Sequence, residues 1–564
     1  MNHPPVITVL DRVLEHATFR NLAYLSGSYV LLQSLLFSYK LVRNIFSPLR
    51  YLAGPRNDSF IFGNSKLVFG GPVGVTHEAW AEKYGHTYAY HGILFSHSLF
   101  TTDTRALSFV LAQSDSFPKP GVVRRNFGNN LGKGLLYAEF DVHRRQRRLM
   151  VSLVDVLYHG DLMIPQNPSF GPPQVRALVP VFWNKSNELK DIWLDMVREG
   201  PAVIDVLPWL ARATLDIIGV AGFDYHFNSL KNEDEDELSR AFAKVFSSGQ
   251  QMTPWTFLIG LIPGMRLLPN SRTSRIQANK KIMNRIGRRL VEEKKAALVE
   301  EQKTGSAAQG RDLLTLLIKS NMAYENENQR MSDEEVLAQI ATFLVAGHET
   351  TATATTWALY ALTKHPECQK KLRRELLDSG LGDEPSMAEL DRLPYLDNVV
   401  RETMRVHPAV TSTMREVTHD VQIPVSKSFK DRNGVEQTSI GVQKGDTVFI
   451  PILVMNRNKE IWGEDAEVFR PERWDNLPEN VKDMPSVWDH LMSFISGPHA
   501  CIGFRFAIIE MKALLYSLIR AVEFEIDPKI VIEAQASIVT RPRIASEPEK
   551  GNQMPLICKP VLAI

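Results

Sequence analysis

The sequence predicts a mainly α-helical fold with a minor β-sheet region, and three observations carry this expectation. Long helical patterns dominate between Asn187 and His407. One of them, from Ser332 to the residue before Pro366, is largely apolar on all sides and so belongs at the centre of a core. Short strand-like runs, such as DTVFIPILVM at 446–455, come late. The composition, 44% hydrophobic and 23% charged over 564 residues, supplies a large core, and no internal repeat divides it. A net charge of +1 argues against a nucleic-acid binder, which normally carries a strong basic excess. The cysteines Cys368, Cys501 and Cys558 are odd in number and widely spaced. They exclude a disulfide framework and point to a reducing compartment.

Taken in order, residues 1–21 form a short N-terminal segment ahead of a mostly apolar run, LAYLSGSYVLLQSLLF, at 22–37. As a helix these sixteen residues reach about 24 Å, short of a hydrocarbon core of roughly 30 Å. Lys40, Arg43, Arg50 and Arg56 follow, an arrangement that keeps the next domain on the cytosolic side. A cleaved signal peptide is the alternative, but no clear basic region precedes the run and no convincing small-residue cleavage site follows it. The expectation is a single-pass or interfacial membrane anchor over 22–37. Residues 38–55, with Pro48, Gly54 and Pro55, read as a stiff hinge, and 56–564 as one domain. Within it, EEQKTGSAAQGR at 300–311 and SGLGDEPS at 379–386 read as polar surface loops.

The central helix has a defined start. Ser332 and Glu335 fit a capping box, and SDEE places three acids in the first turn, where the helix dipole favours them. The helix spans roughly 50 Å and stops before Pro366. Its middle, AGHETT at 346–351, sets Gly347, Glu349, Thr350 and Thr351 where helix propensity and burial argue against them. A threonine bonding back to the carbonyl one turn earlier accounts for a hydroxyl, but an uncompensated buried carboxylate is costly. A glycine that admits a ligand, with an acid and a hydroxyl facing it, explains the cluster more simply. A second helix ends in YLDNVVRETMRVHP, where Glu402 and Arg405 are i, i+3 neighbours able to pair. On exposed helices such pairs contribute almost nothing. Further on, FISGPHACIGFRFA at 494–507 sets Cys501 among glycines, two residues after His499. By itself such a cysteine reads as a buried hydrophobe.

Four pieces, AGHET at 346–350, ETMR at 402–405, FRPERW at 469–474 and FISGPHACIG at 494–503, occur in this order at appropriate separations. Together they resemble the cytochrome P450 superfamily of haem-thiolate monooxygenases, from about Gly54 to the C-terminus. The anchor and hinge resemble its membrane-bound, fungal-like branch. The resemblance implies the cytochrome P450 fold and haem b as cofactor, with Cys501 as the axial thiolate ligand. A thiolate pushes electron density onto iron and favours O–O cleavage. The helix beginning near Ile502 and backbone N–H groups would lower the thiol pKa. Gly497 and Gly503 would bring backbone against the porphyrin with no Cβ between, and Phe494 would limit water access to the sulfur. Glu349 and Thr350 resemble the family's acid–alcohol pair, which relays protons during oxygen activation. Glu402 and Arg405 would form a buried structural triad with Arg473.

The propionates need cations, and the resemblance makes His143 and Arg147 of HRRQRR, with Arg415, the expected contacts. Arg144, Arg145 and Arg148 read as a solvated face or a surface for an acidic redox partner. The implied activity inserts one oxygen atom of dioxygen into a lipophilic small molecule. No Gly-x-Gly-x-x-Gly fingerprint is present, so NADPH electrons would arrive through a separate NADPH–cytochrome P450 reductase, with cytochrome b5 as an additional partner. The expected location is the endoplasmic reticulum membrane with the catalytic domain facing the cytosol, and the expected setting is secondary metabolism such as terpenoid biosynthesis. MTPWTFLIGLIPGMRLL at 252–268 resembles the family's membrane-dipping entrance, with a plain core segment as the alternative. The expected pocket lining is Phe117 to Phe127, Phe343 to Gly347, Ala409 to Met414 and Ser537 to Thr540.

Two departures from the family pattern matter. The family usually has arginine where this chain has His499, and histidine titrates near neutrality and reaches less far. His499 replacing Cys501 as the axial ligand is the competing idea. The second departure is VSLVDVLYHGDLMIPQ at 151–166, sixteen residues without a counterpart in the pattern. It reads as a retained intron, since valine codons begin GT and a glutamine codon is CAG, or as a surface loop between two helices. The functional alternatives are a P450-fold isomerase or dehydratase that uses no dioxygen, which Glu349 and Thr350 disfavour, and a haem-deficient product of mis-splicing.

Overall fold

The computed structural model describes residues 19–93, 96–151, 170–231, 236–250, 271–304, 312–324, 326–535 and 538–561. In chain order the helices that build the site are α1 (Phe19–Ile45), α2 (Thr104–Ala112), α3 (Phe140–Val151), α4 (Pro172–Met196), α5 (Val206–Phe223), α6 (Ser271–Thr304), α7 (Asp333–Lys364), α8 (Pro366–Asp378), α9 (Pro394–Val406) and α10 (Phe504–Ala521). The strands are β1 (Thr87–His91), β2 (His97–Thr101), β3 (Ala202–Asp205), β4 (Thr413–Glu416), β5 (Val421–Lys430), β6 (Glu436–Val442), β7 (Thr447–Ile450), β8 (Val522–Glu525), β9 (Ile532–Gln535), β10 (Arg541–Ile544) and β11 (Pro555–Pro560). They form a sheet of order β1-β2-β7-β4, a sheet of order β3-β11-β8, and the hairpins β5-β6 and β9-β10. Helix dominates, as the sequence predicts.

Helix α7 is the centre of the core. The Ser332 hydroxyl accepts from Glu335 N at 3.2 Å and the Glu335 carboxylate accepts from Ser332 N at 2.9 Å, which completes the capping box. The helix runs 32 residues and ends where His365, held extended before Pro366, cannot continue it. It crosses α5 closely, and Gly347 is the reason. A Cβ on Gly347 would stand 2.7 Å from Ile218 Cγ1 of α5, so this glycine serves helix–helix packing. The expectation that it admits a ligand is corrected here: its missing Cβ points at a neighbouring helix. Helix α10 packs against both α4 and α7, which sets the segment just before it beside the central helix.

Helix α1 covers 27 residues, about 40 Å at helical rise, with exposed apolar side chains from Tyr24 to Phe46. Residues 38–45 continue it, so the hinge expected from residue 38 begins only at Phe46. Charged residues do not stop a helix, and the first breaker is Pro48, which opens a short 3₁₀ turn capped by Ser47. The end of α1 is tied to the domain: Gln443 Nε2 donates to Arg43 O at 2.8 Å, and Ser47 Oγ donates to Asp446 Oδ2 at 2.8 Å. Among the described residues, α5 is the helix long and apolar enough to cross a bilayer, but 72% of it is buried and it belongs to the core.

Two further boundaries differ from expectation. The run at 446–455 is a strand only to Ile450, because Pro451 has no N–H for the ladder and a helical turn, Ile452–Asn456, follows. Residues 300–304 extend α6, and the rest of the loop expected at 300–311 begins outside the described residues. Of the sixteen-residue insertion only Val151 is described, as the last residue of α3; 152–166 and the expected entrance at 252–268 lie outside the described residues.

Candidate functional site

Cys501 lies between a 3₁₀ turn, Gly497–His499, and the start of α10. Its N–H donates to Phe494 O at 3.0 Å, and Ala500 N donates to Gly497 O at 2.9 Å, so the loop is closed on itself. Burial pushes the Cys501 thiol up, while the Gly503 backbone N–H and the Arg147 guanidinium pull the other way. Protein surrounds this residue, yet its own side chain is exposed, the signature of a side chain facing an internal cavity. Helix α7 carries the matching mark. From Ala338 to Leu359 it is buried except at Ala346, Gly347, Glu349 and Thr350. Phe170 joins the two regions: its ring lies 5.5 Å from that of Phe343 on α7, and 3.8 Å from where a Cβ on Gly503 would sit.

The two glycines of the loop act differently. Gly497 has φ +73° and a Cβ there would meet Leu111 O of α2 at 2.2 Å. Its smallness is required against α2, which corrects the expectation that it clears a cofactor face. Gly503 has an ordinary φ of −93° and caps α10, and a Cβ there would make only ordinary contact with the Phe170 ring. Phe494 is buried, with its ring 5.5 Å from Trp488 and 6.0 Å from Phe504.

The four candidate propionate residues gather beside this loop. Arg147 Nη1 donates to Ala500 O at 2.6 Å. His143 is buried and stacks on His499, ring centroids 4.2 Å apart, and burial drags its pKa down to about 3. His499 is not available as expected, because its Nε2 lies 2.8 Å from Glu139 Oε2. Burial lowers its pKa against the pull of that carboxylate. Glu139 also takes Lys119 Nζ at 2.8 Å and Lys119 N at 3.0 Å through Oε1. Burial pushes the Glu139 carboxyl up, but His499 and Lys119 outweigh it and hold it at about 2. Arg415 is 3% exposed, donates from Nη1 to Met414 O at 2.8 Å and Thr413 Oγ1 at 3.1 Å, and forms no ion pair among the described residues. Burial lowers its pKa to about 10. Lys119 is paired with Glu139, whereas neither Arg147 nor Arg415 forms an ion pair among the described residues.

On α7, the Thr350 hydroxyl donates to Ala346 O at 2.7 Å, the bond one turn back that threonine allows. Glu349 is compensated, contrary to expectation. Arg541 of β10 donates from Nε to Glu349 Oε2 at 3.1 Å and also from Nη2, and His348 Nε2 lies 3.4 Å from Oε1. Burial raises the Glu349 carboxyl, but His348 and Arg541 prevail and hold it at about 2.

Glu402, Arg405 and Arg473 come together, and the network extends further. Glu402 and Arg405 are 0% exposed and Arg473 is 2% exposed. Arg405 grips both oxygens of Glu402 at 2.8 Å, and its Nη1 and Nη2 donate to Asn456 O at 2.9 Å and Val468 O at 3.1 Å. Arg473 reaches Glu402 Oε1 at 3.4 Å and Asp465 Oδ1 at 2.6 Å. Trp474 Nε1 and Arg470 N also donate to Glu402, at 3.1 and 2.8 Å. This network fixes α9 to the segment leading into the cysteine loop.

Sequence reasoning missed Lys119, Glu139, Asp465, Trp474 and Arg541. Trp474 was within reach, since it closes the quoted FRPERW. Glu139 sits four residues before His143, a helical spacing that could have suggested one face.

Comparison with known proteins agrees with this arrangement. The sequence model of the cytochrome P450 family matches residues 53–546. Cytochrome P450 monooxygenase 205 of Postia placenta is 47% identical over 523 residues, covering 91% of this chain and 93% of that protein. Cytochrome P450 monooxygenase 128 of the same fungus is 45% identical, with 91% and 93% covered. Cytochrome P450 monooxygenase claQ of Ampulloclitocybe clavipes is 34% identical, with 90% and 92% covered. With an accessible cysteine in a buried loop, a buried Glu–Arg–Arg network behind it and this match over most of its length, the chain belongs to the cytochrome P450 family, whose cofactor is a thiolate-ligated haem.

Proposed function

We propose that this enzyme is a haem-thiolate monooxygenase that inserts one oxygen atom of dioxygen into a lipophilic small molecule, with Cys501 as the axial iron ligand. The observation that carries the reading is the cluster beside Cys501. Among the described residues the buried Arg415 pairs with no carboxylate, and the half-buried Arg147 donates to the Ala500 carbonyl beside it. Buried cations of this kind are costly unless something pairs with them, and the two propionates of haem b have the matching charge. The residues therefore fit the group: Arg147 and Arg415 would hold the propionates and Cys501 the iron. Bound haem supplies oxygen activation, to which a thiolate ligand contributes electron density that favours O–O cleavage.

The chain's own groups supply the rest. The Gly503 N–H and Arg147 favour the ionised sulfur, and Phe494 limits water at the loop. Thr350 presents a hydroxyl oxygen at the accessible stretch of α7, and Glu349 carries a proton only after leaving Arg541. This acid–alcohol pair weighs against an isomerase or dehydratase that uses no dioxygen. Electrons would come from NADPH through a separate NADPH–cytochrome P450 reductase, with cytochrome b5 as a second donor. Helix α1, with its exposed apolar run over residues 24–37, would anchor the enzyme in the endoplasmic reticulum membrane with its catalytic domain facing the cytosol. The fungal relatives make secondary metabolism, terpenoid oxidation included, the first field of substrates to screen.

The test is the reduced, carbon-monoxide-bound spectrum of the full chain, followed by turnover of candidate terpenes and fatty acids under labelled dioxygen in a reductase-bearing host. A thiolate Soret signature that Cys501→His abolishes, with one labelled atom in the product, is the expected result. A signature that survives Cys501→His overturns the ligand assignment, and unlabelled product overturns the oxygenase reading.

A further inference from the structure

We propose that Glu139 is a positioning residue of the cofactor cradle. It binds His499 and Lys119 together and so withholds position 499 from the propionates, leaving them to Arg147 and Arg415. This rests on the haem reading above.

The geometry is specific. Glu139 has a side chain with 0% exposure, and its two oxygens are divided between two partners: Oε2 to His499 Nε2 at 2.8 Å, Oε1 to Lys119 Nζ at 2.8 Å. The His499 ring is fixed twice, by this bond at its edge and by the stack on His143 at its face. A ring held in both ways cannot turn toward a second anion without giving up Glu139. A simpler account would have Glu139 neutralise the local positive charge. The arrangement goes further than that, because one oxygen pairs with Lys119 while the other is spent on His499 at 2.8 Å and not on Arg415, the most buried cation of the group, which forms no ion pair among the described residues. The backbone adds a second observation. Phe140, the next residue, has φ +53°, a left-handed conformation costly for a bulky side chain. Strain at that point is tolerated where the surroundings demand it, and here it goes with a carboxylate aimed inward at the start of α3.

The consequence concerns the arginine that the family motif carries at this position. His499→Arg alone would meet the Glu139 carboxylate and pair with it, a better partner for guanidinium than for imidazole. Only with Glu139 neutralised would the new side chain be free for a propionate. The experiment compares four full-length holoenzymes: wild type, His499→Arg, Glu139→Gln and the double variant. Haem loss to excess apomyoglobin is followed by Soret absorbance. His499→Arg should change the rate by less than about twofold in the wild-type background. In the Glu139→Gln background it should slow haem loss by roughly tenfold, the yield of one charge-assisted hydrogen bond. Equal effects in the two backgrounds overturn the proposal.

A second measurement covers poor recovery of the double variant. Glu139→Gln is isosteric and removes a negative charge beside the haem site, so the reduction potential should rise. An unchanged potential overturns the proposal by itself. A wild-type protein without the thiolate signature refutes the haem-thiolate reading, whereas a normal signature with no coupling refutes only the role of Glu139.

Discussion

Glu402→Gln isolates what the buried triad contributes. The substitution keeps size and shape and removes one charge from a site with 0% exposure. It leaves Arg405 buried with its anion gone and Arg473 with Asp465 alone, and it converts the oxygens that accept from Arg405, Arg473, Trp474 and Arg470 N into one amide. Removing one partner of a buried ion pair costs about 3–5 kcal/mol. A domain of roughly 500 residues unfolds with an entropy near 1 kcal/mol/K, so Tm should fall by roughly 3–5 °C. Scanning calorimetry of the holoenzyme reads this directly. The control is Glu479→Gln. Glu479 and Lys482 share the same i, i+3 spacing, but their side chains are 81% and 66% exposed. That change should stay within about 0.5 kcal/mol, or about half a degree. If Glu402→Gln lies within one degree of the control, the network is not a structural requirement and the argument from burial fails.

Three other outcomes follow from the structure. Phe140→Gly relieves the left-handed conformation of a half-exposed side chain and should add about 1 kcal/mol of stability in denaturant titration; a loss of stability would show that the ring matters more than the backbone. Gly347→Ala forces a methyl against Ile218 and should cost about 1–3 kcal/mol, with part of that restored by adding Ile218→Ala; strictly additive effects would mean the contact is not responsible. The third concerns acid. Glu349, held at about 2 against an ordinary 4.5 by His348 and Arg541, binds fewer protons folded than unfolded, so its contribution is fully present above pH 4.5 and is lost as pH falls through about 2. Arg541→Gln should therefore be less stable than wild type near neutrality, with the gap closing on acidification. A gap in urea midpoint that stays constant to pH 2 would contradict this.

What the sequence made legible was local or repeated. The start and end of α7 follow from Ser332, Glu335 and Pro366, all within one turn of the boundary they set, and they needed no tertiary knowledge. The helical rise of α1 past residue 38 was hidden because hydropathy ends at Phe37, whereas helix continues until a residue that cannot hold it. Glu402 and Arg405 were visible as a spacing, but spacing cannot distinguish a buried pair from a solvated one; only the order of four motifs suggested burial. The glycines show the sharper limit. Gly347 and Gly497 were correctly singled out, yet the reason for each lies in a distant element, Ile218 of α5 and the Leu111 carbonyl of α2. His499 was recognised as unusual, but its partner is 360 positions away. No pattern at that separation is readable from one sequence.

That separation bears on how the enzyme is made. The cradle closes through contacts between α3 and the cysteine loop: Glu139 with His499, 360 positions apart, and Arg147 with the Ala500 carbonyl, 353 apart. During synthesis the α3 half emerges first, and chains are extended at about 5–20 residues per second. Its cations then wait some tens of seconds before their counterpart leaves the ribosome. For that interval Lys119, Glu139 and Arg147 have no enclosing loop and no sulfur beside them, and long-range closure slows folding. With Cys501 as the proposed ligand, cofactor capture becomes an event of the finished chain, and a truncation before residue 501 should yield a protein that takes up no haem.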